Sequence, residues 1–410
     1  MQKRLLIIGF VWPEPKSSAA GSRMMQLIEI FQSQDYQITF ASNCAKMDNA
    51  FNLESIGIEQ VAVELNNSSF DAFVKNLNPD IVIFDRFMVE EQFGWRIAEQ
   101  CPNALRILDT EDLHCLRKGR EEALKKKVLF NKNYLFNDVA KREIASIYRC
   151  DLTLIISEEE IEILKNQFKV DNNLLYYLPF LTETMSLETQ SKLPKFNERE
   201  HFLMIGNFLH APNYDAVLFL KQHIWSLIRK KLPKTEVHIY GAYVSDKVLQ
   251  LNNKKEGFII KGFAENVETV MQNAKVCLAP LRFGAGLKGK LIDAMQNGTP
   301  CVMTTIAAEG MFGNLEPTGF ITDDPDGFSR QAIELYEDNI SWNGKQKNGF
   351  HIMNMRFDKQ LFVPDFIFKI NVIQKNLNVH RLDNFMGQML QHHTMQSTKY
   401  MSKWIEEKNN

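Results

Sequence analysis

The chain has 410 residues, and its 48 basic and 50 acidic side chains leave a formal net charge of −2. This length exceeds what one hydrophobic core usually holds, so two domains are expected, and the near balance of charge argues against a nucleic-acid-binding protein. The six cysteines have no paired spacing, which excludes a zinc site or disulfide framework of the usual pattern and favours a reducing, cytoplasmic compartment.

The N-terminal segment MQKRLLIIGFVW begins with basic residues, but its apolar run is short and leads directly into a strand pattern without a small-residue cleavage site. No other segment approaches the ~20 apolar residues that a membrane-spanning helix needs. We therefore expect a soluble protein, attached to a membrane at most peripherally.

The first half of the chain alternates strands with helices. A buried-type strand over Arg4–Trp12 precedes a loop and a helix over Gly21–Ser33. Short apolar strands follow at Gln37–Ala41, Gln60–Val63, Ile81–Phe84, Arg106–Leu108 and Leu152–Ile156. This alternation predicts a parallel sheet covered by helices on both faces.

The second half repeats the pattern after a polar stretch without periodicity. Its predicted strands are His201–Ile205, Glu236–Tyr240, Phe258–Ile260, Val276–Ala279 and Cys301–Thr304. We predict two doubly wound α/β domains with these boundaries: an N-terminal Rossmann-like domain over 1–185, a linker over 186–199, a C-terminal Rossmann-like domain over 200–350 and a helical tail over 351–410.

The stretch VCLAPLRFGAGLKGKLIDAMQNGTPCVMTTIAAE, residues 276–309, reads as one βαβ unit with a glycine loop at the start of its helix. Such a loop leaves backbone N–H groups unpaired, and the helix dipole adds roughly half a positive charge there, so a phosphate fits. Gly284 and Gly286 form the loop, and Lys288 and Lys290 add full charges beside it. Asp293, about one turn further on, can accept hydrogen bonds from sugar hydroxyls. The unit predicts a nucleoside diphosphate site.

These motifs resemble the group 1, family 4-type glycosyltransferases of the GT-B fold, in which two Rossmann-like domains face each other across a cleft. The resemblance rests mainly on IGNFLHAPNYDAVLFL at 205–220, on 261–302 and on TTIAAEGM at 304–311. It implies that the C-terminal domain holds the nucleotide sugar, that the N-terminal domain supplies the acceptor site, and that the C-terminal tail crosses back to the N-terminal domain.

The resemblance also implies roles for individual residues. Asp293 matches the acid that binds the ribose, and Glu309 with Gly310 lies in the loop beside the donor. Gly262 and Phe263 match the turn that meets the base, and Gly21 opens the first helix near the diphosphate or the acceptor.

Two positions depart from the family pattern. Ala285 stands where many members have a glutamate that contacts the donor sugar, and Asn207 and Asn213 stand where many have Arg and Lys for the diphosphate. Arg282, together with Lys288 and Lys290, would restore the missing charge from the glycine loop.

His114 follows a first-domain strand in the run LDTEDLHCLRKGR, at the edge where the cleft is expected. The resemblance favours a contact between this histidine and the donor sugar near the reacting carbon. Asp109, Glu111 and Asp112 lie beside it, and they are candidates to hold the acceptor or to act as a base, although Asp109 or Asp112 would serve equally well as a helix cap.

Two further segments have two interpretations each. Residues 117–142 contain nine basic and three acidic side chains with interleaved aromatic residues, which fits either a solvated helix with a buried face or a contact with anionic lipid or an anionic acceptor. Apolar residues of the tail, from Phe385 to Ile405, fit packing against the protein better than a membrane contact.

The acidic run Asp323-Asp324-Pro325-Asp326 follows a strand-like segment and consists of residue types that are common in turns. We therefore assign no metal to it.

The sequence therefore predicts transfer of a sugar from a nucleoside diphosphate sugar to an acceptor hydroxyl, without a metal or other cofactor. The resemblance further implies retention of configuration and a glycan or glycolipid as acceptor. The candidate catalytic residues are His114, Asp112, Lys290 and Arg282. Two alternatives remain: a sugar-nucleotide epimerase of the same architecture, which needs no acceptor, and a non-catalytic protein that binds sugar nucleotides.

Overall fold

The computed structural model describes residues 2–409, apart from the side chains of residues 393–396. Its strands form two parallel sheets. The first sheet contains β1 (Arg4–Gly9), β2 (Gln37–Ser42), β3 (Glu59–Ala62), β4 (Ile81–Asp85), β5 (Leu105–Asp109), β6 (Leu152–Ile155) and β7 (Leu175–Tyr177). The second contains β8 (Glu200–Ile205), β9 (Val237–Tyr240), β10 (Phe258–Gly262), β11 (Ala274–Ala279), β12 (Cys301–Met303) and β13 (Gly319–Ile321).

The strand order is β3-β2-β1-β4-β5-β6-β7 in the first sheet and β10-β9-β8-β11-β12-β13 in the second. In each sheet the order reverses beside the first strand of the domain, between β1 and β4 and between β8 and β11. Ligands of open parallel sheets bind outside the carboxyl ends of the strands at such a reversal. The topology therefore gives each domain one crevice, next to the loops after β1 and β11.

Helices cover both faces of each sheet. In the N-terminal domain they are α1 (Ala19–Gln32), α2 (Ser69–Leu77), α3 (Phe87–Gln100), α4 (His114–Lys125), α5 (Lys132–Leu135), α6 (Asp138–Arg149) and α7 (Glu158–Asn166). The connection and the C-terminal domain contain α8 (Leu187–Ser191), α9 (Ala211–Phe219), α10 (Trp225–Lys231), α11 (Asp246–Leu249), α12 (Val267–Asn273), α13 (Gly289–Gln296), α14 (Thr305–Ala308), α15 (Pro325–Glu337) and α16 (Asn339–Ile352). The tail contains α17 (Val363–Lys375), α18 (Leu377–Asp383) and α19 (Phe385–Asn409).

The central strands are apolar along their whole length because helices cover both of their faces. Every residue of β4 and β5 is buried, and the same holds for β12 in the second sheet. Burial on two faces explains why these segments read as continuous apolar runs rather than as alternating patterns.

The predicted two-domain α/β fold of the GT-B type is confirmed. Two strands are missing from the predicted set: β7 has only three residues, and its Tyr176 and Tyr177 give no clear period, while β13 was recognised only as a strand-like segment. The predicted strand over Arg4–Trp12 ends at Gly9. The polar stretch at 186–199 contains α8 and a 3₁₀ turn over Phe196–Glu198.

The helical tail packs against the N-terminal domain. Phe366 of α17 is fully buried, and its ring lies edge-on to Phe31 of α1 at a centroid distance of 6.1 Å. The guanidinium group of Arg381 in α18 donates to both carboxylate oxygens of the buried Asp151, at 2.7 and 2.8 Å. The chain therefore enters the second domain once and returns to the first.

Within residues 2–409, no helix combines the length and the apolar character that crossing a bilayer requires.

Candidate functional site

The first turns of α1 and α13 meet between the two domains. A Cβ atom built on Gly289, the first residue of α13, would lie 2.7 Å from the Cβ of Ala19 in α1. A Cβ atom on Gly21 would lie 2.4 Å from the backbone of Glu14, so only glycine fits in this first turn. The chain thus brings the predicted donor helix and the predicted Gly21 loop to the same place.

The glycine loop reaches into the N-terminal domain. Gly286 has a φ of +63°, and a Cβ atom there would lie 3.0 Å from the Cβ of Asp112 and 3.3 Å from the carbonyl oxygen of Glu111. Ala285 is 7% exposed and packs with core residues of the N-terminal domain. The loop is therefore part of the domain interface rather than an open turn.

The N–H group of Gly286 donates a hydrogen bond of 2.8 Å to Oε1 of Glu160 in α7. The same oxygen accepts from the N–H group of Leu113 at 2.9 Å. Burial raises the pKa of Glu160 to about 8. The expectation that the loop amides are unpaired is therefore wrong for Gly286, because a carboxyl group of the other domain binds it.

Lys288 lies beneath the loop and is 8% exposed. Its ammonium group donates to the carbonyl oxygens of Ala285, at 3.1 Å, and of Gly286. Burial lowers the pKa of Lys288 to about 8. This lysine is not a solvated side chain, and its hydrogen-bond partners in the structure are neutral.

Lys290 has a similar environment. Its ammonium group donates to Oδ1 of Asn213 in α9 at 2.7 Å, and burial lowers its pKa to about 8. Burial also raises the pKa of Asp293 to about 7. The hydrogen bond of the Lys290 ammonium group thus goes to Asn213 and not to Asp293, about one turn further along α13.

No side chain caps the N-terminus of α13. The N-cap residue is Lys288, which cannot accept a hydrogen bond from the first-turn amides. An uncapped helix start beside one buried and one partly buried ammonium group is an anion-binding arrangement.

Arg282 lies at the edge of this arrangement. Its guanidinium group donates to Asp215 of α9, with a distance of 2.9 Å from Nε to Oδ2, and the side chain is 34% exposed. We expected the positive charge of Arg282 to bind the diphosphate, but the Asp215 carboxylate already compensates it.

Glu309 and Gly310 follow α14 on the other side of the glycine loop. Both carboxylate oxygens of Glu309 accept hydrogen bonds from Arg120 of α4, at 2.8 and 2.6 Å. Gly310 has a φ of +74°, and a Cβ atom there would lie 2.7 Å from Oγ of Ser157. Both residues therefore lie against the N-terminal domain.

The remaining predicted donor residues occupy the C-terminal domain. Oδ1 of Asn207 accepts from the N–H group of Leu209 in a local turn, and the Asn207 carbonyl oxygen accepts from Asn213 at 2.9 Å. Gly262 ends β10, the outermost strand, with a φ of +83° and open space where a Cβ atom would be, and Phe263 follows it. The two strands β9 and β8 thus lie between β10 and β11, the strand that precedes α13.

His114 is the first residue of α4. Its Nδ1 lies 3.1 Å from the Asp112 carbonyl oxygen, and the N–H groups of His114 and Cys115 donate to Glu143 at 2.9 and 3.0 Å. Burial opposes ionisation of Asp112, but Arg117, which hydrogen-bonds its carboxylate, lowers the pKa of Asp112 below its usual range. Asp112 is therefore a carboxylate that lies against Gly286.

The basic stretch at 117–142 is largely neutralised by its neighbours, since seven of its nine basic side chains form ion pairs. Leu129, at its centre, is 90% exposed. Ion pairs thus account for most of the charge, five of them on the surface and those of Arg117 and Arg120 more shielded.

The acidic run at 323–326 has structural roles. Asp324 caps α15 by accepting from the N–H group of Gly327, and Asp323 accepts two hydrogen bonds from Thr305. In the described part of the chain, no three His, Cys, Asp or Glu side chains are grouped as metal ligands.

Residues that the sequence analysis did not select as site residues also meet here. Tyr243 donates to Glu14 across the domain interface at 2.7 Å, and Arg120 and Glu160 hold the glycine loop. Arg86, which was not selected, and Glu111, which was a candidate, lie at the carboxyl ends of β4 and β5 and have positive φ angles of 72° and 63°. Strained backbone of this kind clusters at functional sites, but no local sequence pattern predicts these positive φ angles.

Known proteins resemble this chain in sequence and in fold. Residues 199–338 match the family model described as glycosyl transferases group 1. A Klebsiella pneumoniae protein described as an uncharacterized 44.6 kDa protein in the cps region is 25% identical over 312 residues, which cover 70% of this chain and 74% of that protein.

Two solved structures have the same architecture. The S. aureus TarM G117R mutant, in complex with fondaparinux, alpha-GlcNAc-glycerol and UDP, superposes with a TM-score of 0.69 at 10% identity and covers 90% of this chain and 100% of that one. Sucrose-phosphate synthase from Thermosynechococcus elongatus gives a TM-score of 0.68 at 14% identity, with 92% and 99% covered.

The fold of the whole chain is that of the GT-B glycosyltransferases. The match over 199–338 specifies the C-terminal domain as a group 1 glycosyltransferase domain, so the predicted class is confirmed and the protein is an enzyme.

Proposed function

We propose that the protein transfers a sugar from a nucleoside diphosphate sugar to an acceptor hydroxyl, with retention of the anomeric configuration and without a metal ion. The observation that carries this proposal is the uncapped N-terminus of α13, which starts between the domains beside the buried Lys288 and the partly buried Lys290. Buried ammonium groups that hydrogen-bond only neutral oxygens favour the arrival of an anion.

The chemistry follows from where charge develops. When the bond between the anomeric carbon and the phosphate oxygen breaks, the electron pair stays on the departing nucleoside diphosphate. The first-turn amides of α13 and the ammonium groups of Lys288 and Lys290 stabilise that charge inside the interface, where water screens it little. These groups do the work that a metal ion would otherwise do.

The rest of the donor extends from this point along the C-terminal domain. Asp293 accepts hydrogen bonds from the ribose, the turn at Gly262 and Phe263 meets the base, and Glu309 and Gly310 lie beside the sugar. Arg282 binds the diphosphate only if its guanidinium group releases Asp215 and binds a phosphate oxygen instead, because its charge is already paired with Asp215.

The acceptor approaches from the N-terminal domain. His114 and Asp112 are our candidates for contacts with the reacting hydroxyl and the anomeric carbon, since Asp112 touches Gly286 of the donor loop. Closure of the domains removes water from this region, which favours transfer over hydrolysis of the donor.

We propose a cell-surface glycan or glycolipid as the acceptor and the cytoplasm as the place of action. The relative named from a cps region and the TarM complex, which contains UDP and a glycosylated glycerol, support this choice. The exposed Leu129, flanked by lysines, supports a peripheral contact with anionic lipid at the inner membrane face.

The test is a thermal shift screen with UDP, GDP, ADP and their glucose conjugates. A ligand that binds only the folded protein raises its melting temperature, and we expect one nucleotide to do so clearly. The binding conjugate is then incubated alone and with glycan acceptors. Transfer that requires an acceptor supports the proposal, conversion of the donor alone indicates an epimerase, and binding without turnover over the acceptor panel indicates a non-catalytic protein.

A further inference from the structure

Arg120 connects the N-terminal domain to two donor-side segments at once. From α4, its Nη1 donates to the Gly284 carbonyl oxygen at 2.9 Å, and its guanidinium group forms two hydrogen bonds with the Glu309 carboxylate at 2.8 and 2.6 Å. The side chains of Arg120 and Glu309 are 12% and 21% exposed. This paired geometry is the one in which an arginine–carboxylate contact is strongest and most directional.

Glu160 adds a second contact from the same domain. It is fully buried, and its Oε1 accepts from the N–H group of Gly286 while it also accepts from Leu113 next to α4. The N-terminal domain therefore binds the carbonyl group at one end of the loop and the amide group at the other. We call Arg120 and Glu160, with their partners Gly284, Gly286 and Glu309, the interdomain clasp.

The clasp determines where the loop carbonyl groups point. Lys288 binds the carbonyl oxygens of Ala285 and Gly286 from below, while Arg120 binds that of Gly284 from the other domain. With all three carbonyl oxygens bound to cations, the loop has one preferred conformation only while the domains are closed. Two glycines at positive φ, 284 and 286, would otherwise leave the loop many conformations.

We infer that Arg120 is a positioning residue, which completes the donor site by fixing Glu309 and the glycine loop when the N-terminal domain closes on the C-terminal domain. This inference rests on the proposed function, because it names what the clasp is for. The nucleotide itself is held by the C-terminal domain, so the loss of Arg120 affects turnover more than nucleotide binding. Misplacing a reacting group by about 1 Å costs up to ~100-fold in rate.

The experiment compares Arg120→Gln and Arg120→Lys with wild type. Arg142→Gln is the matched control, because it removes an arginine from an Arg–Glu pair that lies within the N-terminal domain, with Glu91. Hydrogen–deuterium exchange of residues 282–290 measures the order of the loop. Calorimetry with UDP, GDP and ADP measures nucleotide binding. Release of the nucleoside diphosphate from its glucose conjugate measures turnover.

For Arg120→Gln we expect amide exchange in 282–290 to accelerate about tenfold and kcat to fall about tenfold, with nucleotide affinity within about twofold of wild type. Arg120→Lys should recover part of kcat, and Arg142→Gln should match wild type. The charge-exchanged variant R120E/E309R, used for exchange only, should regain protection that R120E loses. Unchanged exchange in Arg120→Gln, or changed exchange with unchanged kcat, overturns the inference.

Results that contradict the proposed function differ from results that contradict the positioning role of Arg120. Wild-type protein that binds none of the three nucleotides contradicts the proposed function, whereas the exchange comparison still decides whether the clasp orders the loop. Nucleotide binding and turnover that survive intact in Arg120→Gln contradict only the positioning role.

Discussion

Nζ of Lys290 lies 2.7 Å from Oδ1 of Asn213, so a partly buried cation of the donor helix is held by a neutral amide oxygen. An amide can orient an ammonium group without neutralising it. The charge of Lys290 therefore remains for a ligand, in contrast to that of Arg282, which a carboxylate already balances.

Replacing Lys290 by Ala should lower turnover far more than stability. The variant loses a cation that stabilises the leaving diphosphate, and we expect kcat to fall about 100-fold or more. Steady-state kinetics and thermal melting measure the two effects. Lys230→Ala, an exposed lysine of α10 in the same domain, is the control and should leave both unchanged. An unaltered rate in Lys290→Ala refutes its role.

Nucleotide affinity should fall as the pH rises through about 8, because burial lowers the pKa values of Lys288 and Lys290 to about 8 in the free protein. Only the ammonium forms attract a diphosphate, and a bound diphosphate in turn favours protonation. Calorimetry at pH 8.5 in two buffers of different ionisation enthalpy should therefore record proton uptake on binding. Equal heats in both buffers would contradict this prediction.

Replacing Asp293 by Ala should separate ribose binding from phosphate binding. Its carboxyl group is expected to accept ribose hydroxyls, so affinity for a nucleoside diphosphate should drop about tenfold while affinity for inorganic pyrophosphate stays within about twofold. Calorimetry with both ligands tests this, and Lys290→Ala should weaken both. A parallel loss of pyrophosphate binding in Asp293→Ala would exclude a ribose-specific role.

Replacing Glu160 by Gln should flatten the pH dependence of stability. The pKa of Glu160 in the folded protein is raised to about 8, so its neutral form stabilises the folded state. This stabilisation is complete below the pKa of Glu160 in the unfolded chain, and it is lost as the pH rises through about 8. Gln keeps the acceptor for Gly286 and Leu113 without a charge. Between pH 7 and 9 the melting temperature of wild type should drop about 2 °C or more relative to Glu160→Gln. Glu159→Gln, a substitution at the exposed neighbouring position, should show the same pH dependence of the melting temperature as wild type.

Replacing Arg381 by Ala should weaken the attachment of the tail to the N-terminal domain. Asp151 is 2% exposed, and burial opposes its charge while Arg381 and Arg106 lower its pKa, so removing Arg381 leaves a buried carboxylate poorly compensated. Denaturant unfolding should show a loss of about 3 kcal/mol. Lys375→Ala, at an exposed position in α17, should change the unfolding free energy by less than about 0.5 kcal/mol.

The sequence alone determined the two-domain fold, most strands, and the helix with a glycine loop that begins the donor site. These features are local: a buried parallel strand is a short apolar run, and a helix start needs only neighbouring glycines and polar residues. β7 escaped because three residues with two tyrosines carry no period.

Tertiary structure decided which groups the site residues meet. Glu160 and Gly286 are 126 residues apart, and Arg120 and Glu309 are 189 residues apart, so no local pattern connects them. The sequence could place lysines beside the loop, but it could not say that burial would lower their pKa values or that Asp215 would neutralise Arg282. Charge, burial and pairing are set by groups that only the closed arrangement of two domains brings together.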